Sequence, residues 1–147
     1  MPARSGWELT PRQSVELECA RRGHQQVVDG CVKLLRGRDV DDNLIMALGG
    51  LAGRIVLDDG PAQRNQYWRR VWGARGLLYV FDDRAASAII GALHDEHWRV
   101  REMAAKVIAR HKIDAALAAV ANLRDDPVPR VRSASERAVV MLTAAGG

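Results

Sequence analysis

The segment WRVREMAAKVIARH, residues 98–111, recurs in weaker form as PRVRSASERAVVML, residues 129–142. A displacement of 31 residues brings the two into register and extends back to YWRRVWGARGLL, residues 67–78. Two columns of this register keep their character, one always apolar (Leu77, Ile108, Val139) and one always small (Gly73, Ala104, Ser135). We interpret the small column as marking positions where two helices approach closely. One helical pair cannot bury its own apolar stripe, so repeated helices with the same face predict a stack of similar layers.

Each repeated unit is predicted to be a helix, a short Asp-rich turn and a second helix. The fold class is therefore all-α, an α-α superhelix of about four antiparallel helical hairpins. Thr10, Pro11 and Gln13 form the sequence pattern of a capping box, and Asp83 and Asp114 are predicted N-caps. Helices are predicted at residues 11–22, 24–37, 41–57, 64–80, 84–93, 98–111, 114–123 and 129–144, the first two of which are alternatively one helix bent at Gly23.

The chain is predicted to be a single repeat domain, residues 1–147. The register is regular over residues 64–145 and fades in residues 1–60, which are interpreted as an atypical N-terminal cap. LGGLAG, residues 48–53, lacks the Lys-Ser/Thr of a phosphate-binding loop. Its glycines are instead interpreted as allowing close packing inside a helix.

The two versions DEHWRVREMAAKVI and DDPVPRVRSASERAV resemble HEAT-like repeats of the short type, similar to the phycobilisome lyase repeat family. In that family a turn Asp and a second-helix Arg tie successive layers together. The resemblance implies this role for Asp95 or Asp125 with Arg101 or Arg132. It implies a repeat fold and an interaction role, and it carries no single enzymatic activity.

The basic character of the chain, net +4, belongs to its C-terminal part. Residues 1–60 carry 8 Lys and Arg against 9 Asp and Glu, a net of −1, whereas residues 61–147 carry 14 against 9, a net of +5. Of the 22 basic residues 19 are Arg, which binds carboxylates and phosphates with two hydrogen bonds. A composition rich in Arg and Ala is also what a GC-rich, bacterial genome encodes by default, and both interpretations stay open.

A helical wheel places Val100, Ala104 and Ile108 on the buried stripe and Arg101 beside it, in a structural position. Other basic residues of the second helices point away from that stripe, interrupted by Glu102 and Glu136. Second helices line the concave side of HEAT-like stacks, so the outward residues are predicted to bind a partner. This predicted surface comprises Trp68, Arg75, Arg99, Lys106, Arg110, Arg130 and Arg137.

Two functions follow from that surface. One is a non-catalytic scaffold for an acidic or amphipathic protein segment, with Trp68 as an anchor. The other is a nucleic-acid binder that contacts phosphates with the same basic stripe. A charged face that is merely solvated, with Trp68 and Trp72 packed on the helix at residues 41–57, is the third interpretation.

Enzymatic patterns are weak. HDEH, residues 94–97, suggests a metal cluster, but metal ligands converge from several elements, and His94 and His97 are interpreted as turn and capping residues. HEAT-type deoxyhypusine hydroxylases bind iron through His-Glu pairs, a dipeptide that this chain lacks. HEAT-like alkylpurine DNA glycosylases are superficially similar in their basic face and Trp residues, yet no segment matches a catalytic Asp. We therefore predict no catalytic residue, no metal and no cofactor.

The remaining predictions concern location and assembly. Two cysteines, Cys19 and Cys31, are too few for a disulfide scaffold and wrongly spaced for a CxxC metal site, which favours core positions in a reducing compartment. Neither a signal-peptide pattern nor an apolar run of membrane-spanning length is evident. The chain is therefore predicted to be a soluble cytoplasmic protein that does not associate with a membrane. Val139, Val140 and Leu142 lack a following layer, so the C-terminal helix, residues 129–144, either forms a homodimer or has these residues covered by the partner helix of its own hairpin.

Overall fold

The computed structural model describes residues 9–58 and 66–144, and the secondary structure of these residues is helical with no strand. The predicted all-α class is therefore confirmed, and most helix bounds agree to within two residues. The predicted fourth-helix start at residue 64 lies outside the described residues. The helices are α1 (Pro11–Arg22), α2 (His24–Leu35), α3 (Asp42–Asp58), α4 (Gln66–Gly76), α5 (Ala86–Ala92), α6 (Trp98–His111), α7 (Leu117–Asn122) and α8 (Pro129–Ala144).

The chain divides into two compact units, Met1–Asp82 and Asp83–Gly147. In the first unit, α1 packs on α3 and α2 packs on α4, so first helices meet first helices and second helices meet second helices. In the second unit, α6 packs extensively on α8, while α5 and α7 pack on the second helix of their own hairpins. Within each unit this is the layer packing of an α-solenoid. The single continuous domain stays a prediction.

Helix starts agree with the sequence at α1 and differ at α5 and α7. The capping box is confirmed: the Gln13 backbone N–H donates to Thr10 Oγ1 (3.2 Å), and the Thr10 N–H donates to Gln13 Oε1 (3.0 Å). The predicted N-caps Asp83 and Asp114 are wrong, because each begins a 3-10 turn and neither α5 nor α7 has a side-chain cap. Gly23, at φ +92°, separates α1 from α2.

The small column marks places where helices touch closely. A Cβ on Gly73 would lie 2.8 Å from the Cys31 carbonyl oxygen, and Ala104 is fully buried. Ser135 is also buried and donates its hydroxyl to the Val120 carbonyl (2.5 Å). Burial raises the pKa of the free Cys31 thiol to about 12, as expected for a core residue. The interpretation of this column as close helix contacts is confirmed.

Helix α3 is broken at Gly50, which has φ +59° and ψ −137°. The prediction of an uninterrupted helix through LGGLAG is therefore wrong, because a non-helical residue interrupts the backbone hydrogen-bond ladder. The packing part of that interpretation is confirmed at Gly49, where an added Cβ would lie 2.9 Å from the Trp72 ring. Trp72 is almost fully buried and fixes α4 against this part of α3.

Candidate partner-binding surface

Helices α6 and α8 of the second unit present five basic side chains on the side that is not buried. On α6, Val100, Ala104 and Ile108 are fully buried, as are Ala105 and Val107. The same helix leaves Arg99 half-buried and Lys106 and Arg110 exposed, and α8 leaves Arg130 and Arg137 exposed. We call these residues, Arg99, Lys106, Arg110, Arg130 and Arg137, the α6–α8 basic face. Their outward positions agree with the helical wheel.

A buried carboxylate lies within this face. The Glu102 side chain is only 9% exposed, and Arg130 from α8 holds it with two hydrogen bonds. Arg130 Nε lies 2.8 Å from Glu102 Oε2, and Arg130 Nη2 lies 3.1 Å from Oε1. Lys106 Nζ lies 3.9 Å from the same carboxylate. Glu102, which the sequence showed as an interruption of the basic stripe, is thus the counter-charge that connects α6 to α8.

Trp98, the first residue of α6, lies beneath two of these cations. The guanidinium carbon of Arg99 is 4.7 Å from the Trp98 ring centre, and that of Arg130 is 5.1 Å away. Such cation–π contacts hold guanidinium groups over the ring. Sequence reasoning did not include Trp98 in the site. The usable signal was that Trp98 directly precedes Arg99 and aligns, in the 31-residue register, with Pro129, which directly precedes Arg130.

Arg101 has a structural role, as the helical wheel predicted. Its Nε and Nη2 donate to both carboxylate oxygens of Asp126 (2.8 and 3.2 Å), and its Nη1 donates to the carbonyls of Asp95 (2.9 Å) and Glu96 (3.3 Å). Arg132 Nη1 likewise donates to the Asp126 carbonyl (2.7 Å). The link between layers implied by the family resemblance is therefore present between Arg101 and the turn.

The acidic partner in that link is Asp126, and the assignment to Asp125 is wrong. In the 31-residue register Asp126 aligns with Asp95. Each carboxylate accepts the backbone N–H of the residue two positions later, His97 for Asp95 and Val128 for Asp126. Burial disfavours the charged form of Asp126, but hydrogen bonds from Arg101 and the Val128 N–H outweigh it and lower the pKa of this carboxyl.

In the first unit, Trp68 and Arg75 occupy less open positions than predicted. Trp68 is half-buried and stacks on Trp72, with ring centres 6.2 Å apart and planes 26° from parallel. Arg75 is half-buried, its Nη2 donates to the Leu48 carbonyl (2.6 Å), and burial lowers its pKa. The open position predicted for Arg75 is wrong, because carbonyls beside the α3 break at Gly50 need donors from elsewhere.

The histidines of HDEH have local roles. His94 lies in the turn after α5, and His97 caps α6 by accepting the Arg99 backbone N–H on Nδ1 (3.2 Å), which confirms both interpretations. In the part of the chain that the structure describes, no group of three or more His, Cys, Asp or Glu residues could hold a metal ion.

The HEAT repeat family model matches residues 63–139, more than half of the chain, and the chain belongs to this family. Neither a curated protein nor a solved structure matches it. HEAT repeats generally serve as protein-interaction scaffolds and are generally non-catalytic. Over residues 9–58 and 66–144, no helix combines the length and the apolar character needed to cross a membrane.

Proposed function

We propose that this protein is a non-catalytic scaffold that binds an acidic, amphipathic protein segment on the α6–α8 basic face. The observation that carries the proposal is the position of five cations on the side of α6 and α8 that is not buried. Of the two acidic residues on these helices, Glu102 is buried and bonded to Arg130, and Glu136 is exposed and lies 3.7 Å from Arg124. Same-sign side chains on one surface attract a segment of the opposite charge.

Apolar side chains on the same surface support an amphipathic partner. Met103 of α6 is half-buried, and Met141 of α8, one helical turn after Arg137, is 38% exposed. Methionine adapts its shape to different partners, so these residues provide contact area between the charges. A segment with both carboxylates and apolar side chains would match the α6–α8 basic face.

A nucleic-acid ligand is supported less well. The sequence supports this function through phosphate contacts alone, and the two Trp rings nearest the predicted surface are already in contact with other groups: Trp68 stacks on Trp72, and the Trp98 ring lies under two guanidinium groups. Bases in single strands need exposed aromatic faces. Phosphate contacts remain the route by which the α6–α8 basic face would bind nucleic acid.

We also propose that the repeats are of the short, phycobilisome lyase type. The 31-residue register and the bond between Arg101 and the turn residue Asp126 support this assignment. A homodimer through α8 is a further proposal, supported by Val140, which is 59% exposed where its register equivalent Ala109 is buried. Leu142 already packs within its own unit.

The first prediction tests the α6–α8 basic face with a charge-matched pair of variants. We expect Arg110→Gln with Arg137→Gln to weaken binding of a fluorescein-labelled helical peptide bearing Glu and Leu by about tenfold, since each exposed charge contributes about 0.5–1 kcal/mol. Lys33→Gln with Lys112→Gln removes the same charge from exposed positions outside this face. Fluorescence anisotropy is the measurement.

Equal losses in the two double variants would contradict a defined binding face. A 20-nucleotide single-stranded DNA serves as the second probe in the same experiment. If the DNA binds more tightly than the peptide, with a log-affinity that falls linearly and steeply with log salt, the nucleic-acid function replaces the proposed one.

A further inference from the structure

Building on the function proposed above, we propose that Arg130 binds one oxyanion of the acidic segment on the outer edge of its guanidinium group. Glu102 acts as the positioning residue that turns this edge toward the ligand. The group recognised is a carboxylate of Asp or Glu or the phosphate of a phosphoserine, which share the oxygen geometry that fits a guanidinium edge.

The guanidinium group of arginine has two edges on which an oxyanion can accept two parallel N–H bonds. In Arg130 the inner edge, Nε and Nη2, is already bonded to the two oxygens of Glu102. The outer edge consists of Nη1 and the second hydrogen of Nη2, and Nη1 donates no hydrogen bond to any described residue. Because the side chain is 59% exposed, this edge is open to a ligand.

Arg101 provides an internal comparison, because it also binds a carboxylate through Nε and Nη2. Its Nη1, however, is used by the carbonyls of Asp95 and Glu96, and its side chain is only 15% exposed. The two arginines therefore share an inner edge bonded to a carboxylate and differ in the outer edge. Nη1 of Arg101 has two carbonyl acceptors, whereas Nη1 of Arg130 has none among the described residues.

The surroundings of Arg130 suit an oxyanion in charge as well as in geometry. Arg99 lies over the same Trp98 ring as Arg130, and Lys106 lies beside Glu102. Lys106 and Arg130 together carry two positive charges against the one negative charge of the Glu102 carboxylate that they share. Trp98 and Glu102 together restrict the guanidinium of Arg130, so less conformational entropy is lost when an oxyanion binds.

The second prediction uses Glu102→Gln, for which two explanations of binding predict opposite signs. If charge alone controls binding, loss of a negative charge from the face strengthens binding of the Glu/Leu peptide. If Glu102 positions Arg130, the same variant weakens binding, and we expect about a fivefold loss. An affinity equal to or above that of the wild type would overturn the inference.

Arg130→Lys keeps the charge but removes the two-nitrogen edge, and we expect it to weaken binding about tenfold, the value of one charge-assisted bidentate bond. Arg38→Lys, the same change at an exposed position outside the α6–α8 basic face, is the matched control and should change affinity less than twofold. Equal effects of the two lysine variants would also overturn the inference. This comparison decides the question if circular dichroism shows that Glu102→Gln does not fold.

Two versions of the peptide, with Glu or phosphoserine at one central position, are compared to identify the oxyanion. The version whose affinity falls more when Arg130 is replaced by Lys carries the group that Arg130 binds. Failure of the inference is distinguishable from failure of the proposed function. If the wild type binds neither peptide, the scaffold function itself is wrong. If the wild type binds and depends on Arg110 and Arg137 while Glu102→Gln has no effect, only the role of Arg130 is wrong.

Discussion

Arg101 and Arg130 show how far a residue's role can be predicted from its place on a helical wheel. The wheel placed Arg101 beside the buried stripe and Arg130 away from it, and the structure confirms both positions. The wheel could not show that Glu102 is buried and bonded to Arg130. That partner lies 28 positions away in sequence, and only the packing of α8 on α6 brings the two together.

The third prediction concerns Arg101, whose replacement leaves the buried Asp126 carboxylate without its main partner. The Asp126 side chain is only 4% exposed. Removal of one member of a buried ion pair costs about 3–5 kcal/mol. We expect Arg101→Met to lower the free energy of unfolding by about 3 kcal/mol, measured by urea denaturation. The control Arg137→Met, at an exposed position, should change it by less than about 0.5 kcal/mol, and equal effects would contradict the role of Arg101.

At the scale of the element, α3 departs most from its sequence pattern. Its apolar spacing predicts one helix, and glycine within a helix is tolerated at a modest cost, so nothing local required a break at Gly50. The physical reason lies in the packing of α3 against α4. Trp72 occupies the space beside Gly49, and Arg75 donates to the Leu48 carbonyl, so the backbone turns where a bulky ring and a cation from α4 meet it.

The fourth prediction compares two glycines in helices that differ in backbone conformation. Gly50 has φ +59° and ψ −137°, a region that side chains with a Cβ avoid, so Gly50→Ala should destabilise the protein by about 2 kcal/mol. Gly91 in α5 has open space where its Cβ would lie. Gly91→Ala should stabilise by about 0.5–1 kcal/mol. Thermal denaturation of both variants is the measurement, and a stabilising Gly50→Ala would contradict the break in α3.

At the scale of the whole molecule, ion pairs in both units make stability depend on acid pH. In the first unit, hydrogen bonds from Arg22 (2.7 and 3.0 Å) lower the pKa of Asp41 to about 2. In the second unit, the pKa of Asp126 is also lowered. Carboxyls with a depressed pKa in the folded state contribute stability above their unfolded pKa, about 4, and this stability is lost as the pH falls through the folded value.

The fifth prediction follows from the sign of these shifts. We expect the urea midpoint to fall steadily from pH 5 to pH 2, and Asp41→Asn to be less stable at pH 5 with a smaller further loss over that range. Because the Asp41 side chain is 53% exposed, added salt should reduce the difference between the two proteins. Parallel pH profiles for wild type and variant would show that Asp41 contributes nothing to the acid response.

The sequence by itself determined the class of fold, the repeat period and which side of α6 is buried. These properties depend on the periodic spacing of apolar and small residues. Residues at helical spacing all lie on one face of the helix, and that face is the one that is buried. Membership in the HEAT repeat family agrees with that result. A cytoplasmic location and a binding role for the outward arginines stay predictions.

Only the tertiary structure decided which charged residues are paired and which present an open edge. Arg101 bonds to Asp126 and not to Asp125. Arg75 donates to the Leu48 carbonyl instead of pointing to solvent, and Glu102 accepts hydrogen bonds from Arg130. Each of these contacts joins residues more than 20 positions apart. Local spacing fixes the direction of a side chain from its helix, but its partner depends on which other helix packs there.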